Sequence, residues 1–254
     1  LNAVEEALKK FTVACIITEP ALTNIGVIKP KSGFFASLRK LCDQYQCLLI
    51  IDETHTQICA WGGLSRAWNI KPDMFTLGKT VAAGIPTGAY GMSKEIGEFV
   101  ARHLEADNAL DPRGSQGGLA IGGTLYGNAL SMAATKVALL EILTPQAYEK
   151  STLLGNQLSQ GLQALFDDLK LPWLSHELMS RSGYTFGPQL PTHAAEFERY
   201  HDPILYNAMR AFYANRGVWE SISSAGPAVS FVMEQQDIDK YLECVNEFLS
   251  ELVG

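Results

Sequence analysis

Two residues of this chain have side chains suited to one particular chemistry. Asp52 ends the apolar run LLIID, and Lys79 follows 27 residues later in LGKT. An acid at the end of one strand and an amine just past the end of the next lie where open parallel sheets bind ligands. The acid can hold a proton on a pyridine nitrogen, and the amine can form an imine with an aldehyde. That combination suits pyridoxal phosphate, in which the cofactor is the electron sink and the protein tunes it. Taken singly, Asp52 also reads as an acid capping a turn, and Lys79 as an ordinary loop lysine. Burial makes the first reading more demanding, because a buried carboxylate needs a partner. The surroundings of Lys79 lack GxxxxGK[ST], so the segment is not a nucleotide P-loop. Its glycines (Gly78, Gly84 and Gly88) would let a flat ligand approach the backbone closely.

A third feature is GGTLYGN at 122–128, just before a strong helical pattern. A helix N-terminus preceded by glycines and a hydroxyl is suited to a phosphate, with Thr124 as a donor. The same residues also read as a plain N-cap and loop.

The elements that would position these residues follow from periodicity. Residues 2–11 have helical spacing. TVACIIT (12–18) and LLIID (48–52) read as buried strands, joined by the amphipathic helix 34–46 in a crossover that implies parallel pairing. DMFTLG (73–78) is a third strand and AYGMS (89–93) a fourth. Helices are expected at 94–104, at 127–143 and from Pro145 to about Leu169. Beyond them WLSHEL, GYTFG, VWESI and AVSF read as short strands, with helices at about 203–215 and 236–252. The fold class expected is α/β. Residues 1–145 would form part of a mostly parallel-sheet large domain, and 146–254 a small α+β C-terminal domain.

Composition narrows the function classes. Of 254 residues, 47% are hydrophobic and 19% charged, so burying a core presents no difficulty. A formal net charge of -7 argues against nucleic acid or an anionic membrane as the main partner. The five cysteines are odd in number and irregular in spacing. They read as thiols of a reducing, cytoplasmic compartment. No apolar run approaches the roughly 20 residues of a membrane span. The chain opens on Leu1 in a helix that leads at once into VACIITEP, so the expectation is a C-terminal portion of a longer protein, or one of two chains.

With these residues in order, EPALTNIGVIKPKSGFFASLRKLCDQYQCLLIIDETHT, PDMFTLGKTVAAGIPTGAYG and GGTLYGNALSMAA resemble the class III aminotransferases of the pyridoxal phosphate fold type I group. Within that class they are most similar to the glutamate-1-semialdehyde aminomutase-like branch. The likeness is strong over 12–145 and loose beyond. It implies that Lys79 is the aldimine lysine and proton shuttle, and that Asp52 binds the pyridine nitrogen. Asn24 would lie near the cofactor's 3′-oxygen and Thr54 against the ring face. Glu19 and Glu53 would support the site through hydrogen bonds. Thr124 would bind the phosphate of a neighbouring subunit's cofactor, which implies a homodimer with shared sites. The substrates implied are an amino donor and a keto acid.

Three departures qualify the likeness. His55 stands in DETHT where DEVMT-like patterns are more frequent, and it reads first as a hydrogen-bonded loop histidine. GVWESISSAGPAVSF lacks the glutamate that the aminomutase carries there, which argues for a transaminase over a mutase. The family's substrate-carboxylate arginine is not identifiable; Arg113 and Arg181 are candidates by charge alone. The resemblance also implies that the family's N-terminal part, with its phosphate loop and ring-stacking aromatic, is supplied from outside these residues. An aminomutase or racemase, and a non-catalytic assembly subunit, stay open as alternatives.

Overall fold

The computed structural model of the chain describes residues 1–106, 123–220 and 226–253. Its centre is a four-stranded sheet in the order β1 (Cys15–Thr18), β2 (Leu48–Asp52), β3 (Met74–Leu77), β4 (Ala89–Met92). β1, β2 and β3 run parallel, and β4 returns antiparallel beside β3. The expected α/β class with a mostly parallel sheet is therefore what the chain forms.

α1 (Asn2–Lys10) precedes β1, and the crossover from β1 to β2 carries α2 (Phe34–Tyr45). That helix stops because Gln46 turns left-handed at φ 55° and the amide of Cys47 folds back onto the Cys42 carbonyl. Its apolar face buries Leu38 and Cys42 against Leu49 and Ile51 of β2, with Leu8 of α1 alongside. Period-2 alternation then sends Ile50 and Asp52 to the opposite face of the sheet. The register groups Ile17, Ile50 and Met74 there, and Asp52 with Thr76 and Tyr90. That second face is open among the described residues: Ile17 is 62% exposed and Tyr90 55%.

After β2 come a single 3₁₀ turn, the short α3 (Gly63–Ala67) and then β3. A second 3₁₀ turn at Lys79–Ala82 leads to β4 and to α4 (Lys94–Ala106). α5 (Ala129–Val137) is capped by Asn128, whose side chain accepts from the Ser131 amide, and it widens into a π-turn at Ala138–Ile142. The helix expected over 127–143 is thus divided in two.

α6 (Pro145–Asp168) starts with the Thr144 cap and a proline in its first turn. It packs on α8 (Pro203–Ala214) and α9 (Gln235–Val253) around Leu162, Phe166, Tyr213, Val245 and Leu249. On the same cluster lies an antiparallel hairpin of β5 (Leu174–Leu178) and β6 (Arg181–Thr185), and α7 (Ala194–Arg199) follows it. Gly155 of α6 lets the hairpin come close, since a Cβ there would meet the Met179 carbonyl at 2.2 Å.

Two expected strands differ. AVSF forms no strand: only Ala228 bridges, to Arg181, because Gly226 at φ 70° and Pro227 turn the chain and Pro227 has no amide to donate. Val218–Glu220 of VWESI is irregular, and 221–225 lie outside the described residues. The six-residue α7 was not anticipated. All five cysteines are free thiols. Among the described residues no helix is long and apolar enough to cross a membrane.

Candidate active site

The carboxyl ends of β2 and β3 place Asp52 and Lys79 as their spacing suggested. Asp52 is the last residue of β2, and its Oδ1 accepts from the Thr54 amide at 2.9 Å. Burial by itself pushes its carboxyl up, but hydrogen bonding, chiefly from Thr54, together with the nearby His55 outweighs it and holds the group below its usual value. Asp52 is therefore ionised at neutral pH. Lys79 opens the 3₁₀ turn after β3 with its backbone left-handed at φ 50°, a conformation that costs a residue with a Cβ about 1 kcal/mol. Strain of this kind persists where surroundings impose it, often at functional sites. Here Thr80, the next residue, donates to Gln57 Oε1 at 3.1 Å and ties the turn down. Gly78 runs extended, and a Cβ there would lie 3.2 Å from the Thr54 methyl. Thr54 and Gly78 thus close against each other between the acid and the amine.

A second group of side chains joins this pair from the loop after β1. Leu22 and Ile28 exchange backbone hydrogen bonds and close the loop, with Thr23 buried inside and Asn24 exposed near its tip. Thr23 Oγ1 lies 3.4 Å from Glu19 Oε2 and 3.0 Å from His55 Nδ1, so Glu19, Thr23 and His55 form a chain of polar contacts. Burial raises Glu19, with the Asp52 charge adding to it, while Thr23, Arg181 and Lys79 pull the other way. Burial lowers His55, and the positive charges of Lys79 and Arg181 lower it further against Asp52. Two acids, a neutral imidazole, a lysine and an arginine therefore act on one another at the strand ends. His55, read first as a loop histidine, is part of that group.

Glu53 has a different position. It is 2% exposed and turned away into the chain. Its carboxylate accepts from the Thr56 hydroxyl and from the amides of Leu64 and Ser65 at the start of α3. Gly62 and Gly63, both with positive φ, bring those amides round it; a Cβ on Gly63 would lie 2.8 Å from the carboxyl carbon. Glu53 thus serves as the N-terminal cap that α3 lacks in its own sequence. Thr124 is exposed ahead of α5 and outside the Asp52 group. Arg113 lies outside the described residues.

Comparison with known proteins places the chain in a family. The sequence pattern of the family described as Aminotransferase class-III matches residues 1–173. The chain belongs to the class III aminotransferases. Among solved structures, it is similar to a glutamate-1-semialdehyde-aminomutase from Pseudomonas aeruginosa PAO1, with 33% identity and a TM-score of 0.89. That match covers 99% of this chain and 55% of the other. A second structure of that enzyme, 32% identical with the same coverage and TM-score, is in complex with PMP. A β-phenylalanine aminotransferase from Variovorax paradoxus, 24% identical at a TM-score of 0.80 over 98% of this chain and 55% of its own, shares the fold. The chain spans about half the length of the solved structures it matches.

The residues present fit the cofactor of this family. An ionised acid at the β2 end suits a protonated ring nitrogen, the amine of Lys79 stands on the next strand end, and Gly78, without a side chain, lies against the Thr54 methyl. Two members of the group were missed or underweighted in the sequence. Thr23 had no motif to mark it. Arg181 was visible only as a charge, because its place depends on how β6 docks against a loop more than 150 residues earlier.

Proposed function

We propose that this chain is the part of a pyridoxal phosphate-dependent transaminase that carries the lysine and the ring-nitrogen acid. The observation that carries the reading is the grouping of Asp52, Lys79, Glu19 and His55 at adjacent strand ends in a class III aminotransferase chain. When bound, pyridoxal phosphate supplies the electron sink for transfer of an amino group from an amine or amino acid to a keto acid.

The chain's own residues do the rest. The Asp52 carboxylate would hold the proton on the ring nitrogen, and the Thr54 amide keeps that carboxylate oriented and ionised. Lys79 Nζ is the amine that would hold the cofactor through its aldehyde carbon, and the same nitrogen would serve as the base that moves the proton at the substrate carbon. Thr54 would lie against the ring face, and Asn24 near its 3′-oxygen. Glu19, held up by burial beside Asp52, keeps His55 in place through Thr23. Glu53 supports the turn that follows Asp52.

The assembly is proposed as a homodimer with shared sites, Thr124 serving the phosphate of the neighbouring subunit. An apolar surface supports this. Leu125, Tyr126, Leu130 and Leu140, in and around α5, are each at least 67% exposed. The open face of the sheet, which parallel sheets normally bury, supports a further segment or second chain completing the domain.

The test is absorbance of the protein as isolated from cells. It is expected to show a visible-edge band of lysine-bound cofactor that vanishes in Lys79→Ala; a band unchanged by that substitution would refute the assignment. A second reading, an aminomutase, is favoured by the likeness to the Pseudomonas enzyme. Dependence on an added keto acid separates the two, since a transaminase stops after one half-reaction without it.

A further inference from the structure

His55 is held within the site group, yet the proposed reaction gives it no task. It stands half-buried, three residues past Asp52. Its Nδ1 lies 3.0 Å from Thr23 Oγ1, and among the described residues its Nε2 makes no hydrogen bond. Thr23 is 0% exposed, and its other side-chain contact is a long one, 3.4 Å, to Glu19 Oε2. The three groups share too few protons to be independent. A threonine has one O–H proton, and a neutral imidazole has a proton on one nitrogen only. With Glu19 ionised, its oxygen only accepts: Thr23 donates to it, Nδ1–H donates to Thr23, and Nε2 is a bare lone pair. With Glu19 protonated, the acid donates to Thr23, Thr23 donates to Nδ1, and Nε2 holds the proton.

The backbone holds each link. Leu22 and Ile28 exchange hydrogen bonds at 3.0 and 2.9 Å around Thr23, and the Thr56 and Gln57 amides fold onto the Glu53 carbonyl beside His55. The charges around the ring favour passing a proton through it over keeping one on it. His55 is faced by Asp52 from the end of β2, by Lys79 from the turn after β3 and by Arg181 from β6, with Glu19 beyond Thr23. Burial and the two cations disfavour a lasting imidazolium. Burial and the Asp52 charge make Glu19 the readier place for the proton to rest.

We propose that His55, Thr23 and Glu19 form a proton relay that takes one proton from the ammonium of the amino donor as it enters the site. The inference rests on the function proposed above and gives a task to the histidine that sets DETHT apart. An amine arrives at neutral pH as an ammonium and cannot attack carbon until it loses a proton. In the relay the ammonium N–H bond breaks as Nε2–H forms, Nδ1–H breaks as a new Thr23 O–H forms, and the old Thr23 O–H breaks as Glu19 O–H forms. Nothing is oxidised or reduced. The positive charge of the ammonium and the negative charge of Glu19 are lost together, and the imidazole is neutral before and after. Release of the product amine as an ammonium runs the relay backwards and resets it.

The test mixes holoenzyme rapidly with an amino donor and follows the first half-reaction across pH. In wild type kcat/KM for the donor is expected to be level once Glu19 is ionised. In Thr23→Val, which keeps the shape and removes the hydroxyl, it should fall on the order of 100-fold at neutral pH and regain about tenfold per pH unit as free amine takes over. Thr23→Ser, which restores the hydroxyl, should recover most of the loss. Should Thr23→Val fail to fold, Glu19→Gln takes its place with the same expectation. Independently of turnover, nitrogen-15 NMR of the histidines reads the tautomer, with His55 assigned through His55→Gln. Wild type should pass from Nε2–H to Nδ1–H as Glu19 ionises, and in Glu19→Gln and Thr23→Val the tautomer should not follow pH. A deficit equal at every pH, wild-type rates in Thr23→Val, or a wild-type tautomer that ignores Glu19 would each overturn the relay. Should no donor react at all, the proposed function fails, and the tautomer measurement still decides whether the three groups share their protons.

Discussion

At the scale of single residues, the acids of this chain divide by what they face. Asp52 and Glu53 are neighbours, yet alternation along the strand end sends one to the open face and the other into the chain. Asp52 keeps its charge through hydrogen bonds at the strand end; Glu53 commits both carboxylate oxygens to the turn and α3. Removing Glu53 leaves two helix amides and the Thr56 hydroxyl buried without partners. Glu53→Ala is therefore expected to lower stability by about 2–4 kcal/mol, read by urea denaturation, whereas an exposed acid would cost under about 0.5 kcal/mol. Asp52 and Lys79 were legible because apolar runs mark strand ends and strand ends are where sheets bind ligands. The capping role of Glu53 was not, because its donors come from residues 64 and 65, beyond two left-handed glycines that no periodicity reveals. Arg181 was legible as a charge and no more: its partners belong to the loop after β1.

At the scale of elements, the crossover from β1 through α2 to β2 follows directly from alternation and amphipathic spacing, and it was readable in outline. The β5–β6 hairpin depends on close approaches that only small residues allow. His176 of β5 lies over Gly183 of β6, where a Cβ would come within 2.1 Å of the ring, and near Gly26 in the loop after β1. Burial, with Lys29 adding to it, pushes His176 down to about 4 from an ordinary 6.5. The unfolded chain therefore binds the proton first as pH falls. The stability that His176 contributes is complete above about pH 6.5 and is lost progressively toward pH 4. Its size is roughly 3 kcal/mol over that window. Thermal denaturation at pH 7 and pH 4.5 should show wild type losing more stability than His176→Leu; equal losses would mean that the ring is not held neutral. The strand expected at AVSF failed for a related reason. Gly226 packs on Ser182 and Gly183, and a turn through Gly-Pro leaves only one bridge to the hairpin.

At the scale of the whole molecule, two hydrophobic clusters carry the fold. One is behind β2 and α2; the other lies among α6, α8, α9 and the hairpin. Between them Leu178 packs with Ala21, Val27, Cys59 and Leu64, which brings the hairpin and Arg181 to the strand ends. The candidate site is thus assembled from both ends of the sequence, and this is why local patterns exposed only its first half. The apolar residues around α5 and the open sheet face were legible as hydrophobic positions, but nothing local distinguishes a position buried in one chain from one that awaits a partner. The central claim is that Lys79 binds pyridoxal phosphate. The most direct measurement takes the protein as isolated from cells, reduces it with borohydride in the presence of pyridoxal phosphate, and maps its peptides by mass. The account predicts a single pyridoxyl adduct, on the peptide containing Lys79. An adduct confined to another lysine, or none at all, would contradict it.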